Sequence, residues 1–103
     1  MDKYGLIGFP LGHSFSKGFF NEKFQTENID AEYTNYELPS IENFLDVIHH
    51  TTNLKGLNVT IPYKQQIIPD LEDLDKDTEE IGAVNVIKFV PQPEGKVLLV
   101  GYN

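Results

Sequence analysis

The chain has 103 residues, of which 40% are hydrophobic, and this fits one globular domain with a modest core. Sixteen acidic residues against eight Lys and Arg give a formal net charge of −8, so binding to nucleic acid or to an acidic membrane surface is not expected. The absence of cysteine excludes disulfides, thiol catalysis and cysteine-based zinc sites, and no metal is expected. Because the sequence shows no signal-peptide pattern and no apolar run of membrane-spanning length, we expect a cytoplasmic protein.

The first third of the chain predicts a strand, a helix and a second strand. Residues 3–9, "KYGLIGF", form a short apolar run closed by Gly and Pro, which is typical of a buried strand. Residues 14–29 place four phenylalanines on neighbouring helical turns, with Ser14 or Ser16 as the candidate N-cap. Residues 31–38, "AEYTNYEL", alternate between polar and apolar as a strand does.

The middle of the chain predicts a second helix, a third strand and a polar helical stretch. Residues 40–52 follow the i, i+3, i+4, i+7 spacing of an amphipathic helix, and Ser40 is its candidate N-cap. Residues 54–61, "LKGLNVTI", indicate a strand that Pro ends. The polar stretch 63–82 favours short helices that break at Pro69.

The last part of the chain predicts a β-hairpin, because residues 83–90 and 96–103 are apolar runs that flank "PQPEG". The whole order therefore predicts an α/β fold with a mainly parallel sheet flanked by helices, to which the C-terminal hairpin adds an antiparallel edge. Since an apolar strand runs almost to Asn103, we expect the single domain, residues 1–103, to be cut short at its C-terminal end.

Three predicted loops should meet at one edge of this sheet, because ligands of open α/β sheets collect at the carboxyl ends of the parallel strands. They are "GFPLGHSFS" after the first strand, "NVTIPYK" at the end of the third, and "GAVN" at the entry to the hairpin. Neutral hydroxyls and amides with one cation suit a small polyhydroxylated anion. The candidate residues are Ser14, Ser16, Asn58, Thr60, Lys64 and Asn85.

Each candidate taken singly has a simpler interpretation. Serines before a helix are often caps, asparagines often stabilise turns, and His13 fits a hydrogen-bonded structural residue. A lone lysine is usually solvated. The joint placement of the candidates at one sheet edge favours the functional interpretation, since strand-end loops carry function more often than other loops.

Four segments of the chain resemble motifs of the shikimate dehydrogenase family, in the family's order. "GFPLGHSFS" resembles its G-x-P-x-x-H-S-x-S motif, and "GLNVTIPYK" resembles its G-x-N-V-T-x-P-x-K motif. "GAVNV" is similar to its G-A-V-N-T motif, and the final "GYN" to the start of its G-x-N-T-D motif. The family reduces 3-dehydroshikimate to shikimate with NADPH, on the pathway to the aromatic amino acids.

The resemblance implies a role for each matched residue. Ser14 and Ser16 would hold the substrate carboxylate, while Thr60 and Asn85 would contact ring hydroxyls. Lys64 would be both a substrate contact and the catalytic residue beside the reacting oxygen, where an ammonium stabilises developing negative charge and relays a proton. Asn58 also matches its motif, and we expect it to shape the loop.

The chain departs from the family pattern in several places. Lys17 stands where the family usually has proline, and Val86 where it usually has threonine. The motif that would supply the lysine's aspartate partner stops at Asn103, and no G-x-G-x-x-G occurs. We therefore expect a substrate-binding domain without its NADP-binding domain, which binds no cofactor and is inactive or nearly so alone.

Two alternatives stay open at this point. One is the corresponding domain of a quinate dehydrogenase, against which Ser16 is weak evidence because quinate-preferring relatives often carry threonine there. The other is a non-catalytic module that binds a small acid. The sequence also leaves open whether the isolated domain forms a non-native dimer through surface that a missing domain would cover.

Overall fold

The computed structural model describes residues 1–12 and 15–103, which form one six-stranded mixed sheet with four α-helices. The helices are short, and three single 3-10 turns lie at 41–43, 68–70 and 93–95. The strands are β1 Asp2–Gly8, β2 Ala31–Glu37, β3 Leu54–Val59, β4 Asp73–Leu74, β5 Val86–Pro91 and β6 Val97–Tyr102. The helices are α1 Phe15–Thr26, α2 Phe44–His50, α3 Tyr63–Gln66 and α4 Lys76–Ile81.

The sheet has the strand order β2-β1-β3-β5-β6-β4. β1 is parallel to β2 and β3, β5 is antiparallel to β3 and β6, and β4 is parallel to β6. The predicted α/β class and closing hairpin are confirmed. The prediction that the hairpin forms the edge of the sheet is wrong, because β4 pairs outside β6 through Asp73 and Leu74. A two-residue strand is too short to show the alternation that sequence patterns detect.

One face of the sheet carries the hydrophobic core, and we call it the core face. Successive strand residues point to opposite faces, so Ile7, Leu57 and Ile87 all point to this side. α2 and α3 cover it with Phe44, which is fully buried, and Ile67. The core therefore lies between the sheet and the helices that follow β2 and β3.

On the opposite face, called the α1 face, α1 covers β1 and β2. α1 has no fully buried residue, and its Phe15 remains 81% exposed. Its inner side packs on the sheet through aromatic pairs, Phe20 against Tyr33 with ring centroids 4.9 Å apart and Phe24 against Tyr4 at 5.8 Å. The α1 face over β3 and β5 is left as an open groove.

The structure confirms the predicted N-cap Ser40, and it excludes one of the two candidate N-caps of α1. Ser40 is an N-cap, since its hydroxyl accepts a hydrogen bond from the Glu42 N–H at 3.3 Å and Asn43 Oδ1 accepts from the Ser40 N–H at 3.2 Å. Ser16 lies inside the first turn of α1 and is not its cap. The other candidate, Ser14, lies outside the described residues.

Candidate functional site

The three predicted loops do meet at one edge of the sheet. Ile7 and Val59 are partners in the parallel ladder of β1 and β3, so both strands end side by side. The Thr60 N–H donates to the Ile7 carbonyl at 2.9 Å, and the Val59 N–H donates to the Asn85 carbonyl at 2.7 Å. Since β5 is antiparallel to β3, the start of β5 lies at the same edge as the end of β3.

A glycine makes this close approach possible. A Cβ atom at Gly8 would lie only 2.5 Å from Thr60 Cγ2, which is far inside van der Waals contact. The next chain contact, from the Phe9 N–H to the Ile61 carbonyl, is 3.1 Å long. Gly8, in the first motif, therefore allows the chain segments that follow β1 and β3 to lie in close contact.

Residues 60–64, which we call the lysine segment, lead from β3 into α3. The Tyr63 N–H donates to the Thr60 carbonyl at 3.0 Å, which makes the turn, and the Lys64 carbonyl accepts from the Val84 N–H at 2.8 Å. The second bond holds Lys64 close to the segment that carries Asn85. The Lys64 side chain is half-buried.

The lysine segment lines a cavity of about 290 Å³. The cavity is lined by residues of the lysine segment, by the next residue of α3 and by one residue that precedes β5: Ile61, Pro62, Lys64, Gln65 and Ala83. Within the described part of the chain, the Lys64 ammonium has no ion-pair partner within 4.0 Å. An ammonium in that state keeps its three donors available to a ligand.

Asn85 lies beside this cavity, and both its backbone N–H and its carbonyl have hydrogen-bond partners. Its N–H donates to the Tyr102 carbonyl at 2.8 Å, and its carbonyl accepts from Val59. Its side-chain Oδ1 is buried, and among the described residues no donor reaches it. A buried acceptor without a donor is costly, and Asn35 Oδ1 is in the same state. The Asn85 oxygen is therefore free to accept a hydrogen bond from a ligand.

Three side chains on the α1 face, Ser16, Tyr33 and Asn58, form what we call the tyrosine cluster. The Tyr33 hydroxyl donates to Asn58 Oδ1 at 2.8 Å. Ser16 lies one helical turn before Phe20, which stacks on the Tyr33 ring. Burial raises the pKa of Tyr33, and the hydrogen bond from Ser16 opposes this in part. Tyr33 is therefore a neutral phenol at physiological pH and keeps its donor proton.

Sequence reasoning missed Tyr33 and the partner of Asn58. Asn58 lies within the predicted third strand, and the side-chain hydrogen bond that it accepts from Tyr33 lies on the α1 face of the sheet. The alternation of β2 would have put Tyr33 on the same face as Tyr4, its partner in the β1–β2 ladder. No motif pointed to it.

The structure thus places five of the six candidate residues at this edge in two groups. Ser16 and Asn58 belong to the tyrosine cluster, and Thr60, Lys64 and Asn85 belong to the lysine segment and its neighbour. Ser14 and His13 lie outside the described residues. The arrangement offers hydroxyl, amide and ammonium groups of the kind that a hydroxylated carboxylic acid requires.

The open groove of the α1 face is a hollow of about 560 Å³. It borders the tyrosine cluster at Tyr33 and Asn58, but its floor is apolar, with Val86 and Val90 from β5. An apolar floor does not suit a polyhydroxylated acid. The polar sheet edge, and not the groove, is therefore the candidate site.

The described residues were also searched for other kinds of site. Among them, no group of three or more His, Asp or Glu side chains is placed to hold a metal ion. No helix in the part of the chain that the structure describes has the length and apolar character needed to cross a membrane.

Comparisons with known proteins converge on one family. The family model of the shikimate dehydrogenase substrate binding domain matches residues 6–87. The chain is 46% identical over 87 residues to the NADP(+) shikimate dehydrogenase of Methanosphaera stadtmanae, covering 82% of this chain and 30% of the relative. It is 39% identical over 103 residues to the corresponding Pyrococcus abyssi protein, covering 100% of this chain and 37% of the relative.

The fold comparison agrees with the sequence comparison. A crystal structure of shikimate 5-dehydrogenase from Listeria monocytogenes, in complex with shikimate and NAD, matches with a TM-score of 0.82 and 32% identity. The match covers 99% of this chain and 34% of that one. The chain spans about a third of the length of the curated relatives it matches.

Proposed function

Because the chain belongs to the shikimate dehydrogenase family through the family's substrate-binding domain, we propose that it binds 3-dehydroshikimate and shikimate for an NADP-dependent oxidoreductase. Residues 1–103 are then the substrate-binding domain, and the NADP-binding domain belongs to the rest of the full-length enzyme. The observation that carries the proposal is the convergence of three polar loops, with one ammonium, at one sheet edge.

The two groups of site residues have different tasks in this proposal. Ser14 and Ser16 hold the substrate carboxylate, and the position of Ser16 in the first turn of α1, the helix that follows β1, supports this task for Ser16. Thr60 and Asn85 contact the ring hydroxyls. The Asn85 amide supports this assignment because its buried side-chain oxygen is unmatched within the described residues.

Lys64 is the catalytic residue of the proposal. When a carbonyl is reduced to an alcohol, negative charge develops on its oxygen and a proton must arrive there. An ammonium beside that oxygen stabilises the charge and donates the proton. The position of Lys64, half-buried against a cavity beside Asn85, supports this role.

The residues of this chain do not fit the nicotinamide cofactor. In dinucleotide-binding folds the pyrophosphate sits on a glycine-rich turn between the first strand and first helix. Here the β1–α1 connection lacks G-x-G-x-x-G, and its Leu11 N–H already donates to Glu37 Oε1 at 3.0 Å. A carboxylate at that position would repel a phosphate. We propose that the cofactor is held outside this domain.

Two measurements test the proposed function. The full-length protein that carries this domain should oxidise shikimate with NADP+ and prefer it to quinate. A preference for quinate would indicate that the domain belongs to a quinate dehydrogenase. Calorimetric titration of the isolated 103-residue chain with NADPH should give no saturable heat. Saturable binding of shikimate with no turnover by the full-length protein would contradict the enzyme proposal and indicate a small-acid-binding module.

A further inference from the structure

We propose that Glu37 is a positioning residue, whose carboxylate fixes the connection between β1 and α1 so that the serines of the first motif are held ready for substrate. This inference rests on the proposed function, because it concerns the approach to Ser14 and Ser16. Glu37 belongs to no motif, and its strand, β2, supplies none of the six predicted site residues.

Glu37 reaches this connection from the end of β2. It is the last residue of β2, and its ladder partner Gly8 is the last residue of β1. Glu37 Oε1 accepts a hydrogen bond from the Leu11 N–H at 3.0 Å, across 26 positions of the chain. The next residue, Leu38, donates its N–H to the Gly8 carbonyl at 3.1 Å. The end of β2 therefore binds the chain where it leaves β1 and again three residues further on.

The connection is also fixed by packing and from its other side. A Cβ atom at Gly8 would lie 2.7 Å from Leu11 Cδ2, so the leucine side chain folds back over the glycine. The Phe9 N–H donates to the Ile61 carbonyl of the lysine segment at 3.1 Å. The chain that leads to the serines is thus attached to the segments that follow both neighbours of β1, and Glu37 makes the attachment nearest to the serines.

β2 fixes the far end of the connection as well. The Asn21 amide of α1 pairs with the Tyr33 backbone, donating to its carbonyl at 2.9 Å and accepting from its N–H at 2.8 Å. α1 begins at Phe15, four residues after Leu11, so only a short piece of chain joins the two attachment points. The same strand therefore determines where the helix lies and, through Glu37, where the chain approaches it.

Loss of the Glu37 acceptor should weaken substrate binding through the arrangement of this connection. When only a fraction of molecules has the binding-competent arrangement, the apparent affinity falls by that fraction. Because Glu37 is exposed, we expect the loss of its one hydrogen bond to change this fraction by roughly two- to tenfold. The serines hold a carboxylate remote from the reacting carbon, so the change should appear in KM and not in kcat.

The test compares Glu37→Ala with Glu37→Gln in the full-length enzyme. Glu37→Ala removes the acceptor, and we expect KM for shikimate to rise roughly two- to tenfold with kcat nearly unchanged. Glu37→Gln removes the charge but keeps a side-chain oxygen that accepts from the Leu11 N–H, so KM should stay within about twofold of wild type. If the Gln variant had the raised KM of the Ala variant, the positioning role of the acceptor would be overturned.

Glu72→Ala is the matched control. Glu72 is also an exposed glutamate whose carboxylate accepts from a backbone N–H, that of Leu99 at 2.7 Å, but it lies just before β4, on the other side of the sheet's centre. Its loss should lower stability to a similar extent and leave KM unchanged. Equal rises in KM for Glu37→Ala and Glu72→Ala would show a general loss of stability and would overturn the positioning role.

A second measurement does not depend on activity. Deuterium exchange of the Leu11 amide in the full-length protein should be faster in Glu37→Ala and unchanged in Glu37→Gln and Glu72→Ala. Unchanged exchange in Glu37→Ala would overturn the attachment itself. Faster exchange with an unchanged KM would overturn the positioning role and leave the proposed function intact. Faster exchange in a protein whose wild type does not turn over shikimate would support the attachment and contradict the proposed function.

Discussion

The tyrosine cluster and the lysine segment lie at the same sheet edge, but the fold holds them in different ways. In the tyrosine cluster a side-chain hydrogen bond runs from the buried Tyr33 phenol to Asn58. In the lysine segment the backbone makes the bonds, through Thr60 and Lys64 carbonyls, and the ammonium stays at a cavity wall. The first arrangement suits a group that must be fixed, and the second suits a group that must move a proton.

This difference predicts that substitutions in the two groups change different kinetic constants. A residue that acts on charge in the transition state lowers kcat, while one that binds substrate and transition state equally raises KM. The predictions below test that division, and they assume the full-length enzyme except where the isolated chain is named.

The largest effect is expected for Lys64→Ala. We expect kcat to fall by roughly two to four orders of magnitude, the range for loss of acid–base or oxyanion assistance, with little change in KM. Steady-state kinetics with shikimate and NADP+ measure both. Lys55→Ala is the control, because Lys55 is an exposed lysine of β3 on the rim of the α1-face groove. A raised KM with kcat intact would make Lys64 a binding residue.

The serines should show the opposite pattern. Ser14→Ala and Ser16→Ala should mainly raise KM, by about tenfold for each ~1.4 kcal/mol of lost hydrogen bonding, because they hold a carboxylate remote from the reacting carbon. Ser40→Ala is the matched control. It removes an N-cap at a cost of about 0.5–2 kcal/mol in stability and should leave KM unchanged. A loss of kcat in the serine variants as large as that of Lys64→Ala would contradict the prediction that the two groups change different kinetic constants.

Sequence reasoning located the lysine segment more completely than the tyrosine cluster, and the reason is physical. The strands, the helices and the hairpin follow from local periodicity and from Gly and Pro, and the edge where the loops meet follows from the parallel order of β1 and β3. The roles of Lys64 and Asn85 came from a motif resemblance. By contrast, the bond between Tyr33 and Asn58 joins two strands that are not neighbours in the sheet, and it depends on strand register.

Ionisation of Tyr33 should make the isolated chain less stable at high pH. Burial holds its folded-state pKa above the usual value near 10, so the folded chain keeps this proton when the unfolded chain has lost it. The stability that the neutral phenol contributes is complete below pH 10 and is lost as the pH rises through the folded-state pKa.

Urea unfolding of wild type and Tyr33→Phe measures this effect, because the other tyrosines contribute equally to both. Wild type should be the more stable near pH 7, and the two midpoints should converge above pH 10. Parallel curves throughout would mean that Tyr33 is not buried in the folded chain, and the tyrosine cluster would then lose its basis.

The smallest effect is expected at the opposite end of β1 and β2, where Lys3 Nζ lies 2.9 Å from Glu32 Oε1. The hydrogen bond and charge of Lys3 lower the pKa of Glu32, so its contribution to stability is present above the usual glutamate pKa and is lost as the pH falls through the lowered one. The pair is exposed and screened by salt. Glu32→Gln should therefore lower the melting temperature of the isolated chain slightly at pH 7 and not at pH 3.

In the full-length enzyme, Glu32→Gln should leave both kcat and KM unchanged. Glu32 follows Ala31 at the start of β2 and so lies at the end of the sheet away from the lysine segment, whereas the hydroxyl of Tyr33, the next residue, reaches Asn58. Neighbouring residues of one strand point to opposite faces, so their substitutions should have unrelated consequences. A change in KM for Glu32→Gln as large as that for Ser16→Ala would mean that KM reports the general integrity of the fold. It would then carry no information about the serine hydroxyls.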